Sequence, residues 1–244
     1  MPNIFEEVDR LHCEIGKLRP LTKNELQQIK EYYRIGLTYT SNAIEGNSLT
    51  ESETKIVLEE EITIGGKPLK DHFEAVGHSK AYDLITSLSK TKNIEESNIK
   101  ELHKLFYQKI DLDNAGTYRK EKVFISGFHY KLPIPEKIND LMSELIKKFN
   151  KIRNTCHSVQ FAAKLHKEFV FIHPFIDGNG RVARLLMNLV LLQEGYNIVI
   201  IPPILRSDYI SSLEKAHTDD TKFIEFIVSC VKESQKDYLR LLQD

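Results

Sequence analysis

The densest concentration of reactive side chains lies in twelve consecutive residues, His173-Pro-Phe-Ile-Asp-Gly-Asn-Gly-Arg-Val-Ala-Arg184. His173 opens the stretch, and histidine is the side chain able to take up a proton near neutral pH. Asp177 supplies a hard carboxylate oxygen, the ligand type suited to Mg²⁺ held between phosphates. Gly178 and Gly180 permit backbone conformations closed to other residues. A loop of this kind feeding a helix N-terminus aims backbone N–H groups at one point, where an anion is favoured. Arg181 and Arg184 are three apart, so they share one face near the start of that helix. Two guanidiniums beside such a nest suit a polyphosphate. Taken singly these features are commonplace: a histidine at a helix end, a Gly-Asn-Gly turn, two arginines on a solvated face. Their order within twelve residues is what points to phosphate chemistry with a base at hand.

The elements that must position these residues can be read from periodicity. Phe161, Leu165, Phe169 and Ile172 recur at helical spacing and predict a helix over about 157–172. Pro174 disfavours helical geometry at the residue before it, so this helix ends at His173. A following helix is expected over about 181–194, with Asp177-Gly-Asn-Gly180 as the tight loop feeding it. Upstream, Ile4, Phe5, Val8, Leu11, Ile15 and Leu18 form an apolar stripe that stops at Pro20. Thr22 with Glu25 and Thr50 with Glu53 are capping-box patterns. The first opens a helix through about Tyr39; the second opens a helix containing Ile56, Val57 and Leu58, broken by Gly65-Gly66. Further helical patterns cover about 72–89, 98–109, 135–150, 207–216 and 221–242. One segment departs from this rhythm. Val123-Phe124-Ile125 and Phe128-His129-Tyr130 flank Ser126-Gly127, and such runs around a glycine-containing pair predict a short β-hairpin. The expected fold class is all-α, with this hairpin as its small exception.

Composition bounds the function classes. Hydrophobic residues make up 41% of 244, enough for a buried core without disulfides. Lys and Arg number 34 against 35 Asp and Glu, with no basic block, which argues against a nucleic-acid binder. Cys13, Cys156 and Cys230 are odd in number, far apart and without a CxxC pair, so reduced thiols in a cytoplasmic protein are expected. His157, His166 and His173 lack HExxH or comparable spacing, and no zinc site is expected. His103, inside Leu102-His-Lys-Leu-Phe106, reads as a helix-packing residue. MPNIFEEVDR has no apolar h-region, so no signal peptide is expected. The longest apolar stretch, Ile198 to Leu205, is broken by Pro202 and Pro203 and cannot span a membrane.

HPFIDGNGRVAR resembles the signature of the Fic family, HxFx(D/E)GNGRxxR, with every signature position filled. The similarity runs from about residue 35 to 230 and takes in Gly116-Thr-Tyr-Arg119, Leu185-Leu-Met-Asn188 and Arg206-Ser-Asp-Tyr209. It implies a Fic-like helical bundle with a β-hairpin flap, laid out as one Fic-type domain over 1–244. Within it would lie an N-terminal helical region at 1–95, a Fic core at 96–230 and a C-terminal helix at 221–242. The implied activity is transfer of AMP from ATP-Mg²⁺ to a Ser, Thr or Tyr hydroxyl of a target protein, with release of pyrophosphate. On this resemblance His173 would be the general base and Asp177 would bind Mg²⁺. Gly178, Asn179 and Gly180 would form the anion hole around the α- and β-phosphates. Arg181 would support the phosphates and the transition state, and Arg184 would grip the γ-phosphate. Lys122, Val123, Phe124, Ile125, Ser126, Gly127, Phe128 and His129 of the flap would align the target by strand-like pairing. Tyr209 stands in the region that relatives use to hold adenine, where Ile210 and His217 depart from the usual Asn. Gly180 favours nucleotidyl transfer, because phosphate-transferring relatives carry Lys there.

Ser41-Asn-Ala-Ile-Glu45-Gly46 resembles the inhibitory motif of the same family, (S/T)xxxE(G/N), in its N-terminal, class II arrangement. Ser41 and Glu45 are four apart and share a face if their helix continues. The resemblance implies that Glu45 pairs with Arg184 and leaves bound ATP misaligned for attack. In some Fic proteins this glutamate also helps a water remove AMP. A deAMPylase, a bifunctional enzyme or transfer of another phosphate-containing group is therefore the alternative reading. From a different class comes a non-catalytic, toxin–antitoxin-like module, against which the intact His173 argues. Self-modification and a homodimer are compatible with the resemblance; no heptad or large apolar patch names an interface.

Overall fold

The structure, a computed structural model of the chain, describes residues 4–18, 20–125, 130–153 and 155–242. It is built of helices: α1 (Glu6–Gly16), α2 (Lys23–Ile44), α3 (Glu51–Glu59), α4 (Leu69–Leu88), α5 (Glu96–Tyr107), α6 (Ile138–Ile152), α7 (Ser158–Ile172), α8 (Asn179–Gln193), α9 (Arg206–Lys215) and α10 (Thr221–Leu242). Single 3₁₀ turns at Pro135–Lys137 and Pro203–Leu205 lead into α6 and α9. None of the described helices is long and apolar enough to cross a membrane.

The architecture is organised around α8. Its run Val-Ala-Arg-Leu-Leu-Met-Asn-Leu-Val-Leu-Leu carries apolar residues on every side, and a helix of that kind must be buried all round. Val182, Leu185, Leu186, Met187 and Val190 are fully enclosed. α7 lies along it, and α4, α5 and α2 complete the enclosure. α6 covers α7, while α10 packs on α7, α9 and α1. Each fully buried Leu or Val contributes roughly 1.5–3 kcal/mol of hydrophobic stabilisation, so α8 is both the axis of the core and the element least free to move.

Both capping boxes form. Thr22 Oγ1 accepts from Glu25 N at 3.2 Å and Glu25 Oε2 accepts from Thr22 N at 2.7 Å; Thr50 and Glu53 repeat the exchange. α2 runs five residues beyond the expected end at Tyr39. Thr40 Oγ1 donates to Gly36 O at 2.8 Å and Asn42 Nδ2 donates to Thr38 O at 3.0 Å, so two side chains of the buried polar tail bond back within the helix. This extension carries Ser41 and brings Glu45 to the helix terminus.

The hairpin expected at 122–131 is not shown among the described residues. Lys122–Ile125 and Tyr130–Lys131 form no strand, and Ser126, Gly127, Phe128 and His129 lie outside the described residues. The described parts of the two arms line a cavity of about 330 Å³, with Val123, Ile125, Tyr130 and Leu132 in its wall. A side chain ties their base instead: Arg119 donates to the carbonyls of Glu121 and Pro133 at 2.9 and 2.7 Å.

The approach of α4 to α5 has one tight point. A Cβ added at Gly77 would lie 2.7 Å from Phe106 O and 2.9 Å from Leu105 O, and backbone cannot swing aside. Gly77→Ala should therefore destabilise the fold by about 1–3 kcal/mol through overpacking, outweighing the roughly 1 kcal/mol that alanine contributes in an isolated helix. Urea unfolding of the two proteins checks it; a more stable variant would show that α4 and α5 can separate freely.

Candidate active site

The loop between α7 and α8 is clamped from three sides. His173 ends α7 in the left-handed region at φ 50°, donating its N–H to Phe169 O, and Pro174 prevents the helix from continuing. Arg119 Nε donates to His173 O at 2.8 Å, and Arg119 N donates to Pro174 O at 2.9 Å. Asn179 closes the loop on itself: its Oδ1 accepts from Phe175 N and its Nδ2 donates to Phe175 O, both at 2.9 Å. The third clamp is His103 on α5. Gly116 N can only donate, so His103 Nδ1 accepts from it at 2.9 Å; Nε2 then carries the proton and donates to Asp177 O at 3.1 Å. Burial pulls the His103 pKa down to about 4, which keeps that tautomer neutral. Its ring stacks on Phe175 at 3.8 Å. His103 thus does more than pack a helix. Gly178 holds φ 76°, and a Cβ there would lie 2.7 Å from the Phe106 ring, so no other residue fits the turn.

Four of the candidate groups converge on the start of α8. Arg184, 2% exposed, donates Nε to Ser41 Oγ at 2.9 Å, and Nη2 to Ser41 O at 2.8 Å and to Glu45 Oε1 at 2.7 Å. Gly180 leaves the space that the Glu45 carboxylate fills: a Cβ at Gly180 would overlap Glu45 Oε1. An anion therefore sits against the first turn of α8, held by Arg184. Burial works to raise the Glu45 pKa, but the charges of Arg184 and Arg181 and the Arg184 hydrogen bond prevail and lower it. Gly46 follows at φ 94°, with Gly46 N donating to Ala43 O and Asn47 N to Asn42 O at 3.0 and 3.1 Å, the Schellman pattern that stops α2 at this point.

Arg181, 3% exposed, lies with its guanidinium 4.0 Å above the Phe106 ring. Its Nη1 is 2.8 Å from Glu74 Oε1 on α4, and its Nη2 is 3.6 Å from Asp177 Oδ1. Nε and Nη1 nevertheless complete no aligned hydrogen bond, which leaves buried donors suited to phosphate oxygens. Asp177 is 46% exposed, with Oδ1 fixed by Gly178 N at 2.6 Å, a carboxylate open to solvent and suited to a hard cation. His173 is enclosed; burial, helped by Arg119, lowers its pKa to about 4 against the opposing pull of the Val170 carbonyl, Asp177 and Glu45. At neutral pH it is the uncharged base.

Tyr209, expected near adenine, is 1% exposed and lies behind Arg184. Its hydroxyl meets His166 Nε2 at 2.9 Å and Arg184 Nη1 at 3.4 Å. His217 stacks on Tyr130 at 4.7 Å, and Ile210 is half-buried against the core. Among the described residues no group of three or more His, Cys, Asp or Glu is placed to hold a metal ion. Sequence reasoning missed Glu74 and the positioning role of His103, since neither lies in a motif or at a telling spacing. The one available signal for Glu74 was an acidic residue among the buried positions of a helix.

Comparison with known proteins places this geometry. A model described as the Fic/DOC family matches residues 93–191. A Nematostella vectensis protein named Protein adenylyltransferase Fic is 35% identical over 244 residues, covering 96% of this chain and 56% of the relative. The chain thus spans about half the length of the curated relatives it matches. Fic-1 of C. elegans superposes with a TM-score of 0.90 at 28% identity, over 98% of this chain and 72% of that one. A Fic domain containing signaling protein of Bacteroides thetaiotaomicron gives 0.89 at 28% identity, over 96% and 97%.

The lowered Glu45 pKa carries a pH signature. A depressed carboxylate contributes stability that is present above its ordinary value, 4.5, and is lost as pH falls through the folded value. Glu45→Gln should therefore be less stable than wild type at pH 7, with the gap closing as the pH drops below 4.5. Denaturation midpoints of both proteins at pH 7 and in mild acid measure it; a gap independent of pH would mean that the Glu45–Arg184 pair does not hold charge.

Proposed function

The chain belongs to the Fic/DOC family, and from that premise we propose that it is a protein adenylyltransferase restrained by its own Glu45. The observation that carries the reading is the anion seat at the start of α8, where a carboxylate paired with Arg184 fills the space left by the glycine at 180 and feels the charge of Arg181. A triphosphate fits that seat by charge and by the backbone N–H groups of Gly178, Asn179 and Gly180. In this reading Arg184 takes the γ-phosphate once Glu45 leaves, and Arg181 faces the charge that develops at the α-phosphate. Asp177 would hold Mg²⁺, which neutralises charge on the phosphate oxygens.

His173 accepts the proton of a Ser, Thr or Tyr hydroxyl on a target protein as that oxygen attacks the α-phosphorus. The new P–O bond forms as the bond to the bridging oxygen breaks, and pyrophosphate leaves. Asn179 acts through the loop: its side chain holds Phe175, so its contribution to the anion hole is its main chain. Lys122 through His129 would receive the target segment by strand-like pairing. With Glu45 seated on Arg184, the γ-phosphate has no place, and that is the restraint.

Transfer of α-labelled AMP from ATP-Mg²⁺ onto the protein itself tests the reading. Weak label is expected in wild type, at least tenfold more in Glu45→Gly, and a loss of roughly 10²–10⁴-fold on adding His173→Ala. ATP binding without label in any variant would favour removal of AMP or another donor, and no ATP binding would end the phosphate-site reading.

The pH profile provides a second check. The neutral His173 is the active form, and its pKa lies near 4, so activity should persist to pH values below the ordinary 6.5. Glu45→Gly removes a charge that raises this pKa, so the variant shifts further down. An acid limb of kcat/KM at or above pH 6.5 in Glu45→Gly would contradict the enclosed, uncharged base.

A further inference from the structure

Glu74 lies on α4, outside the signature segment, yet it is 5% exposed and reaches two parts of the site at once. A carboxylate so enclosed requires partners for its charge. One oxygen, Oε1, lies 2.8 Å from Arg181 Nη1. The other, Oε2, accepts from Asn47 Nδ2 at 2.9 Å, and the same Nδ2 donates to Asp71 O at 3.0 Å. Asn47 stands two residues after Glu45, in the turn that ends α2. Lys70 approaches Glu74 at 3.7 Å from a half-exposed position and is the weaker partner.

Arg181 has two carboxylates within reach, and they are not equivalent. Asp177 is at 3.6 Å and 46% exposed, free to turn toward a cation. Glu74 is nearer and enclosed. The Phe106 ring fixes the guanidinium plane from below, and Glu74 fixes its rotation within that plane. Nε itself has no hydrogen-bond partner among the described residues. We propose that Glu74 is the positioning residue for Arg181 and that it is shared with the inhibitory turn through Asn47. The arginine that faces the reacting phosphate and the turn that carries Glu45 are thereby registered on one buried carboxylate. Preorganised donors stabilise developing charge without reorganising at the moment of reaction, and a loosened Arg181 forfeits that advantage in turnover more than in ATP binding.

The inference rests on the adenylyltransferase reading, and the test separates the two. In the Glu45→Gly background, AMP transfer is followed over a range of ATP concentrations for Glu74→Gln, Asn47→Ala, Arg181→Ala and Arg181→Ala with Glu74→Gln. Glutamine keeps the shape but offers one acceptor oxygen where Arg181 and Asn47 each need one. Glu74→Gln should lower kcat at least tenfold with the KM for ATP within about threefold. In the Arg181→Ala background the same change should alter kcat less than twofold, which a general loosening of the fold would not reproduce. Asn47→Ala, with the Arg181 contact intact, should retain kcat within about threefold. An unchanged kcat in Glu74→Gln, an equal loss in Asn47→Ala, or additive losses with Arg181→Ala would each overturn the assignment. Absence of label in Glu45→Gly alone would instead remove the enzymatic reading beneath it.

Discussion

Two guanidiniums buried within the first two turns of an apolar helix are the constraint that the rest of this structure answers to. Arg181 and Arg184 are 3% and 2% exposed, and the partial positive charge of a helix N-terminus opposes them. An enclosed, unpaired cation costs several kcal/mol. The fold meets that cost from outside α8: α4 presents Glu74 to Arg181, and the end of α2 presents Glu45 and Ser41 to Arg184. The N-terminal helices are therefore part of the charge balance of the site. Their packing against α8 is an electrostatic requirement as well as a hydrophobic one.

The same balance accounts for the Glu45 carboxylate at the start of α8. An anion seat lined with cations is least comfortable when nothing fills it, and Glu45 fills it. His103, Arg119 and Asn179 hold the loop's backbone in shape independently of that carboxylate. The loop and His173 are thus built in advance, and on the proposed function only the occupant of the seat would change between resting and working states. Asp177 stands at the solvent-facing side of the same loop.

Much of this was legible in the residues. Apolar periodicity and the two capping boxes located helices because local chemistry decides them, and the Gly-Asn-Gly loop declared itself through conformational need. Pro174 fixed the end of α7 for a reason internal to the chain. The continuation of α2 past Tyr39 was less visible, since Thr38, Thr40, Ser41 and Asn42 have poor intrinsic helix preference; burial against the core and bonds back to Gly36 and Thr38 override it. The hairpin pattern near 122–131 rests on aromatic and β-branched residues, which favour extended backbone; no strand is shown there among the described residues. Glu74 and His103 escaped because their significance lies in contacts made 107 and 74 residues away, to Arg181 and Asp177.

The Schellman turn at Gly46 bears on how the proposed restraint would be undone. Glu45 is carried by the cap of α2, the place where a helix opens at the smallest fraction of its global stability. Unwinding the last turn would withdraw the carboxylate while Thr22 to Leu37 stay packed, so release demands only a local fraying of the chain. On the proposed function, basal transfer would then be a thermal quantity, set by how often one helical turn melts, and anything that grips or loosens that turn would adjust it smoothly without a second global conformation.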